Sequence, residues 1–234
     1  MALTDEAIKR IKDMIVTGEL RPGDRLPKEA DLADRLGLSR SSLREAVRAL
    51  SLIRVLDVRQ GDGTYVTSLR PETLLDTVGF VLDFHGDDSV LYVLEVRRIL
   101  EPAATAMAAR MMSDREIESL GSLVSVTGDV SASGDIDGLN ELLAADLEFH
   151  RRIALGSGNP VLASLIDSLS APTLRSRVWR GLTQENAVAR TIEQHQAIHQ
   201  ALIAREPDVA RAWATVHIAG VEEWLRRSIG TAGA

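Results

Sequence analysis

The stretch from Lys28 to Leu50 constrains this chain more than any other part of it. A short segment from about Lys28 to Leu36 reads as a helix ended by Gly37. Ser39 then offers an N-cap hydroxyl ahead of Leu43, Val47 and Leu50, which recur at i, i+4 and i+7. A helix that starts three residues after its predecessor stops has helix-turn-helix spacing. Upstream, Thr4–Thr17 sets Ala7, Ile8, Ile11, Ile15 and Val16 at helical spacing, and Gly18 stands where a left-handed C-cap belongs. Leu20-Arg-Pro-Gly-Asp24 is turn chemistry. Downstream, Val55–Arg59 and Thr64–Thr67 are β-branched runs split by Gly61-Asp-Gly63, the pattern of a short hairpin. Three helices and a two-stranded wing predict a winged helix-turn-helix.

Charge points the same way. The 234 residues carry 27 Lys and Arg against 34 Asp and Glu, a net −7, yet residues 1–70 hold 13 bases against 11 acids. Across Arg35–Arg59 the bases Arg35, Arg40, Arg44, Arg48, Arg54 and Arg59 face only Glu45 and Asp57. A local basic patch on an acidic protein is the footprint of a DNA-binding module attached to another domain. The first turn of a recognition helix enters the major groove, where an arginine can make two hydrogen bonds to guanine O6 and N7. Arg40 and Arg44 stand one turn apart there and are the expected base readers. Ser41 and Ser42 are expected to donate to phosphate or base edges, Arg48 to meet the backbone, and Gly61 to let the wing tip approach the minor groove.

Beyond Pro71 no strand pattern competes. Helices are predicted near 72–84, 88–111, 113–128, 135–156, 159–179, 184–204 and 207–228, separated by clusters such as Gly86-Asp-Asp-Ser89 and Gly156-Ser-Gly-Asn-Pro160. Seven helices with short connections imply an antiparallel bundle. The expected organisation is a DNA-binding domain over residues 1–69 and an all-helical effector-binding and dimerisation domain over 70–234, a mainly α fold.

Composition removes whole classes of function. Without cysteine there is no disulfide scaffold, thiolate zinc finger, iron–sulfur cluster or cysteine nucleophile, so any metal must be held by nitrogen and oxygen. Aromatic residues, 3% of the chain, are too few for a base-stacking single-strand binder. The apolar stretches are shorter than the ~20 residues that cross a bilayer, and MALTDEAIKR lacks an apolar signal core. A cytoplasmic protein without a membrane partner is expected.

Gly18-Glu-Leu-Arg-Pro-Gly-Asp-Arg-Leu-Pro27, Leu32–Arg40, Leu43-Arg-Glu-Ala-Val-Arg-Ala-Leu50 and Gln60-Gly-Asp-Gly-Thr-Tyr-Val66 together resemble the winged helix-turn-helix of GntR-type bacterial transcription regulators. The remainder resembles the helical effector domain of the FadR branch, the FCD domain, through Glu95-Val-Arg-Arg-Ile-Leu-Glu-Pro102, Asp146-Leu-Glu-Phe-His150 and Glu193-Gln-His195. The resemblance implies a homodimer on a pseudo-palindromic operator in double-stranded DNA. At one position the chain departs from the pattern. Many members carry a base-reading arginine after the glutamate of the Pro-x-Glu segment, and here Lys28-Glu29 is followed by Ala30.

In the helical part, Asp146 and His150 stand at i, i+4 and project from one helix face, a separation at which two side chains can share a cation. Spacing groups them with nothing else. The resemblance adds His195 and His217, since Asp146, His150, His195 and His217 match the one-aspartate, three-histidine set that binds a divalent metal in many FCD domains. Zinc is the first expectation for such ligands, with nickel, manganese and iron also suited. The resemblance further implies a small carboxylate effector received by the metal and by an arginine at the position of Arg97. The competing reading of Arg97 is an ion pair with Glu101, one turn on. His85 and His199 match no family position and are expected to face solvent. Arg175, Arg177 and Arg180 add charge to a later helix whose inward face spacing does not define.

The expected function is therefore a DNA-binding regulator whose operator affinity follows an organic acid bound at the metal, and not an enzyme. Two other readings stay open at this point. The metal can be purely structural or the effector a non-carboxylate. Alternatively, an open coordination position can activate water in a hydrolase, although Glu148, about 200° around the helix from the Asp146–His150 face, points away from any such site.

Overall fold

The computed structural model describes residues 3–70, 86–130, 136–170, 173, 180, 184 and 186–232. Among these the chain is mainly helical, with nine helices and one two-stranded sheet. It separates into two compact units, Met1–Thr77 and Val78–Ala234. The predicted helix at 72–84, His85, Pro71, Arg175 and Arg177 lie outside the described residues.

The first unit contains α1 (Leu3–Val16), α2 (Glu29–Leu36), α3 (Arg40–Leu52), β1 (Leu56–Arg59) and β2 (Gly63–Val66). Gly37 closes α2 with φ +65°, a left-handed conformation in which a side chain is strained. Ser39 caps α3, its Oγ accepting from the Ser42 N–H at 3.1 Å. The two strands pair antiparallel with Leu56 opposite Val66 and Arg59 opposite Gly63. This leaves Gly61, with φ +78°, at the exposed wing tip. Ala7, Ile11, Met14, Leu32, Leu43, Val47, Leu50, Leu56 and Val66 share one core. Full burial of an aliphatic side chain is worth roughly 1.5–3 kcal/mol, which is what clamps α3 against α1 and the wing. Close approach also fixes the wing: a Cβ on Gly63 would stand 2.5 Å from Arg25 Nε, while Arg25 Nη2 donates to the Asp62 carbonyl.

The second unit contains α4 (Gly86–Met111), α5 (Asp114–Val130), α6 (Ile136–Gly156), α7 (Pro160–Ser168), α8 (Ala187–Ile203) and α9 (Pro207–Ala232). Leu94 near the start of α4 packs on Val221, Trp224 and Leu225 near the end of α9. Ala108 and Ala109 at the other end of α4 share a core with Ala210 and Ala214. The two longest helices are therefore antiparallel. Phe149 and Ile153 of α6, Leu120 of α5 and Ile198 and Leu202 of α8 complete that core. Among the described residues, no helix is long and apolar enough to cross a membrane.

Three local expectations need correction. The helix predicted over 159–179 stops at Ser168. The Ser170 N–H turns to Asp167 O and its hydroxyl to Ile166 O, and Pro172 in the sequence lacks the N–H and the room to continue a helix. The helix predicted from 184 begins at Ala187, because Asn186 takes a left-handed conformation at its N-cap. His199 does not face solvent freely: it is half-buried, with Nε2 2.8 Å from the Ile117 carbonyl of α5.

Candidate metal centre and nucleic-acid interface

The candidate reading face lies on α3. Arg40, Ser41, Arg44 and Arg48 are exposed along it. The cap at Ser39 and the burial of Leu43, Ala46, Val47 and Leu50 on the opposite side turn them outward. Arg44 is held ready by Glu29 of α2, with Nε and Nη2 each 3.2 Å from one Glu29 oxygen, and Arg48 pairs with Glu45 at 2.8 Å. Ser42 departs from the expectation. It is buried, and its hydroxyl lies 2.8 Å from Ser39 Oγ, because it falls on the core side of the helix beside Leu43. Its hydroxyl is turned to the cap residue Ser39. On the wing, Arg59 stacks over Tyr65 at 4.2 Å and pairs with Asp57 at 3.0 Å.

In the helical unit, α6 brings Asp146 and His150, α8 brings His195, and α9 brings His217 to one interior point. All four are buried, and one ligand atom from each lies within 4.8 Å of the others. His150 Nε2 is 3.2 Å from His217 Nε2, and Asp146 Oδ1 is 3.5 Å from His195 Nε2 and 3.7 Å from His150 Nε2. Donors that each sit ~2.0–2.2 Å from one ion stand about 3.0–3.5 Å apart, so this donor set fits a divalent cation with nitrogen and oxygen ligands.

The surrounding shell fixes the rings. His150 Nδ1 lies 3.0 Å from Glu101 Oε2 and His217 Nδ1 lies 3.0 Å from Gln194 Oε1. Each Nδ1–H is thus given an acceptor and each Nε2 is left for the cluster, the arrangement that supports metal-ligating histidines. Phe149 stacks on His195, ring centroids 4.4 Å apart. Glu101 is held in turn by Arg97, whose Nε donates to Oε1 at 2.5 Å and whose Nη1 donates to Thr173 Oγ1 at 2.6 Å. Of the two readings of Arg97, the ion pair is the one formed, and at 1% exposure it is fully desolvated. Sequence reasoning passed over Glu101, Gln194 and Phe149 as parts of the centre, although each lies inside a motif segment beside a ligand or Arg97.

Electrostatics keeps these groups in their working protonation states. Burial raises the Glu101 carboxyl, but the Arg97 guanidinium and then His150 outweigh it and hold the group well below the ordinary carboxylate range. Burial, followed by the nearness of His195 and His150, pushes the His217 ring well below the ordinary imidazole value, so it stays neutral and able to donate a lone pair. Glu148 faces away from the cluster and pairs with Arg151 at 2.6 Å and Arg152 at 2.7 Å, so it is not placed as a general base for hydrolysis.

Known proteins share both units. The family described as bacterial regulatory proteins, gntR family, matches residues 3–66, and the FCD domain matches residues 92–220. The HTH-type transcriptional regulator LutR of Bacillus subtilis is 31% identical over 217 residues, covering 91% of this chain and 96% of the relative. The galactonate operon transcriptional repressor of Escherichia coli is 28% identical over 228 residues, covering 95% of this chain and 96% of the relative. Among solved structures, Streptococcus agalactiae GntR superposes with a TM-score of 0.74 at 30% identity, covering 94% of this chain and 99% of that one. With a basic recognition helix in one unit and an FCD-type helical core in the other, the chain belongs to the GntR family of bacterial regulators, in its FCD-domain branch, and is a DNA-binding transcription regulator.

Proposed function

We propose that the protein binds a pseudo-palindromic operator as a homodimer, and that a small carboxylate bound at a divalent metal in the helical unit sets its operator affinity. The observation that carries this reading is the buried Asp146, His150, His195 and His217 cluster, whose histidines at 150 and 217 are oriented by Glu101 and Gln194. A buried set of four such donors is costly to assemble without a cation to share. Zinc is the first candidate, and nickel, manganese or iron suits the same donors. When bound, the ion supplies a Lewis-acidic point of attachment for a carboxylate or hydroxyl oxygen.

The residues of the chain do the rest. Arg40 and Arg44 read base edges, Ser41 and Arg48 contact phosphates, and Gly61 lets the wing approach the minor groove. Arg97 acts on the effector through Glu101 and His150 by holding the metal centre. An effector shifts operator binding by its differential affinity for the two states of the regulator. The relative named for the galactonate operon supports a hydroxycarboxylate as the chemical class. The proposed division places DNA binding in residues 1–69 and effector binding and dimerisation in 70–234.

The test is operator binding by fluorescence anisotropy, with the operator obtained by selection from random duplexes. Zinc-loaded and chelated protein are compared with and without galactonate and L-lactate. A carboxylate response that disappears on chelation is expected. A response that survives complete metal removal overturns the metal-centred reading, and a protein that selects no duplex overturns the assignment of α3 as the reading element.

A further inference from the structure

The wing carries an acid at its tip. Asp62 stands between Gly61 and Gly63 with its carboxylate half-exposed, on an element that nears a polyanion when the regulator meets DNA. A negative charge there opposes binding, so its presence calls for another use.

That use lies in the contacts Asp62 makes. Residues 23–26 run along the second edge of β2: Gly23 and Leu26 donate their N–H groups to the Val66 and Thr64 carbonyls at 2.9 and 2.8 Å, and the Val66 N–H donates back to Asp24 O at 2.9 Å. This register sets Arg25 opposite Tyr65. From there the Arg25 side chain crosses Gly63, where a Cβ would stand 2.5 Å from Nε. Its Nη2 donates to the Asp62 carbonyl, and its Nη1 lies 3.9 Å from Asp62 Oδ1. The Tyr65 hydroxyl donates to Asp62 Oδ2 at 2.9 Å, and Arg59 of β1 covers the Tyr65 ring, 4.2 Å from its centroid. The Asp62 N–H closes the turn on Arg59 O at 3.1 Å. Asp62 is thus tied through its N–H, its carbonyl and its carboxylate to all three segments that make up the wing. A two-stranded hairpin alone is marginally stable in water, and a loose tip must be ordered when it binds, which lowers affinity.

We propose that Asp62 and Arg25 are positioning residues for DNA binding, a brace that holds the wing tip in its binding shape before DNA arrives. They act through the tip backbone and not by touching DNA. This rests on the wing-contact reading above and names what makes the wing competent; the metal centre has no part in it.

The test measures binding of the full-length protein to a duplex selected from random sequence, by fluorescence anisotropy at several salt concentrations. Arg25→Met and Asp62→Ala each weaken binding at least about threefold, even though Asp62→Ala removes a negative charge. Tyr65→Phe, which takes one hydroxyl from an exposed side of the wing, weakens it in the same direction, and Asp62→Asn, which keeps an acceptor for that hydroxyl, restores most of the Asp62→Ala loss. The salt dependence of Arg25→Met stays that of the wild type, since no phosphate contact is removed. Because the chain has no cysteine, Gln60→Cys accepts a single tethered iron–EDTA group that cuts DNA beside the tip. With the brace intact the cuts fall on a few adjacent nucleotides, and with Arg25→Met or Asp62→Ala added they spread. Tighter binding by Asp62→Ala overturns the brace, because the acid then merely repels phosphate. An Arg25→Met loss with a reduced salt slope and unspread cuts also overturns it, because Arg25 then contacts phosphate itself. If the tethered group cuts nowhere with the brace intact, the wing-contact reading falls and the brace with it; if the cuts stay localised in every variant, the brace alone is wrong.

Discussion

Glu101 Oε2 and His150 Nδ1 are 3.0 Å apart, and this contact links the two kinds of order in the helical unit. On one side of Glu101 is a buried ion pair to Arg97, and on the other a histidine whose Nε2 faces His217 across 3.2 Å. The carboxylate therefore sets the tautomer of a proposed metal ligand and neutralises an arginine that has no access to water.

Removing Glu101 tests both roles. Glu101→Ala leaves Arg97 buried without its counter-ion, a loss of about 3–5 kcal/mol of stability. Glu101→Gln keeps an oxygen for the His150 N–H but loses the charge, and is expected to weaken zinc about 10–100-fold while the protein remains folded. Urea denaturation and competitive zinc titration measure the two effects separately.

Stability of the metal-free protein falls with acid. The His217 ring has a lower pKa folded than unfolded, so between the folded value and the unfolded value of about 6.5 the unfolded chain binds the extra proton. Stability is full above that window and is lost as pH falls through it. Glu101, depressed in the folded state, adds a loss of the same sign at lower pH. Melting temperatures of chelated protein across pH 8 to about 4 check this; a flat profile, or a maximum on the acid side, contradicts the burial of neutral His217.

At the reading face, Arg44→Ala is expected to remove about 1–3 kcal/mol of discrimination at the bases it reads, while most nonspecific, salt-sensitive binding remains. Arg48→Ala weakens all sequences alike and lowers the salt slope by about 1. Glu29→Ala frees Arg44 from its 3.2 Å partner and blurs preference at the same bases. Binding to selected and scrambled duplexes at several salt concentrations distinguishes the three.

Arg205 joins two corners of the bundle. From the α8–α9 junction its Nη1 donates to the Met112 and Ala109 carbonyls at the end of α4, at 2.5 and 3.3 Å, and its Nη2 pairs with Asp114 at the start of α5. Arg205→Ala is expected to cost about 1.5–3 kcal/mol, the range for hydrogen bonds to a charged group, without changing zinc affinity or operator preference. Chemical denaturation beside the binding assays checks it.

The DNA-binding unit was largely legible because its signals are local. Gly37, Ser39 and the Leu43–Val47–Leu50 spacing each act within a few residues, and the helix bounds and hairpin follow from them. Helix spacing puts Ser42 next to a core position, and only packing reveals on which side its hydroxyl lies. In the helical unit, periodicity located the long helices, but the early end of α7 turned on Ser170 capping its own chain. Asp146 and His150 were visible as a pair, whereas His195 and His217 lie 45 and more residues away on other helices. Only tertiary packing, or likeness to a family, joins them. Nothing in the periodicity shows that Arg97 faces Glu101.

The central claim is that the four-residue cluster is a metal centre, and metal content tests it most directly. Full-length protein incubated with zinc, freed of excess ion and assayed by mass spectrometry is predicted to hold one divalent ion per chain. A His150→Ala, His217→Ala double variant is predicted to hold none while remaining folded. A wild-type protein that retains no ion, and whose melting temperature is the same with zinc and with chelator, contradicts the account.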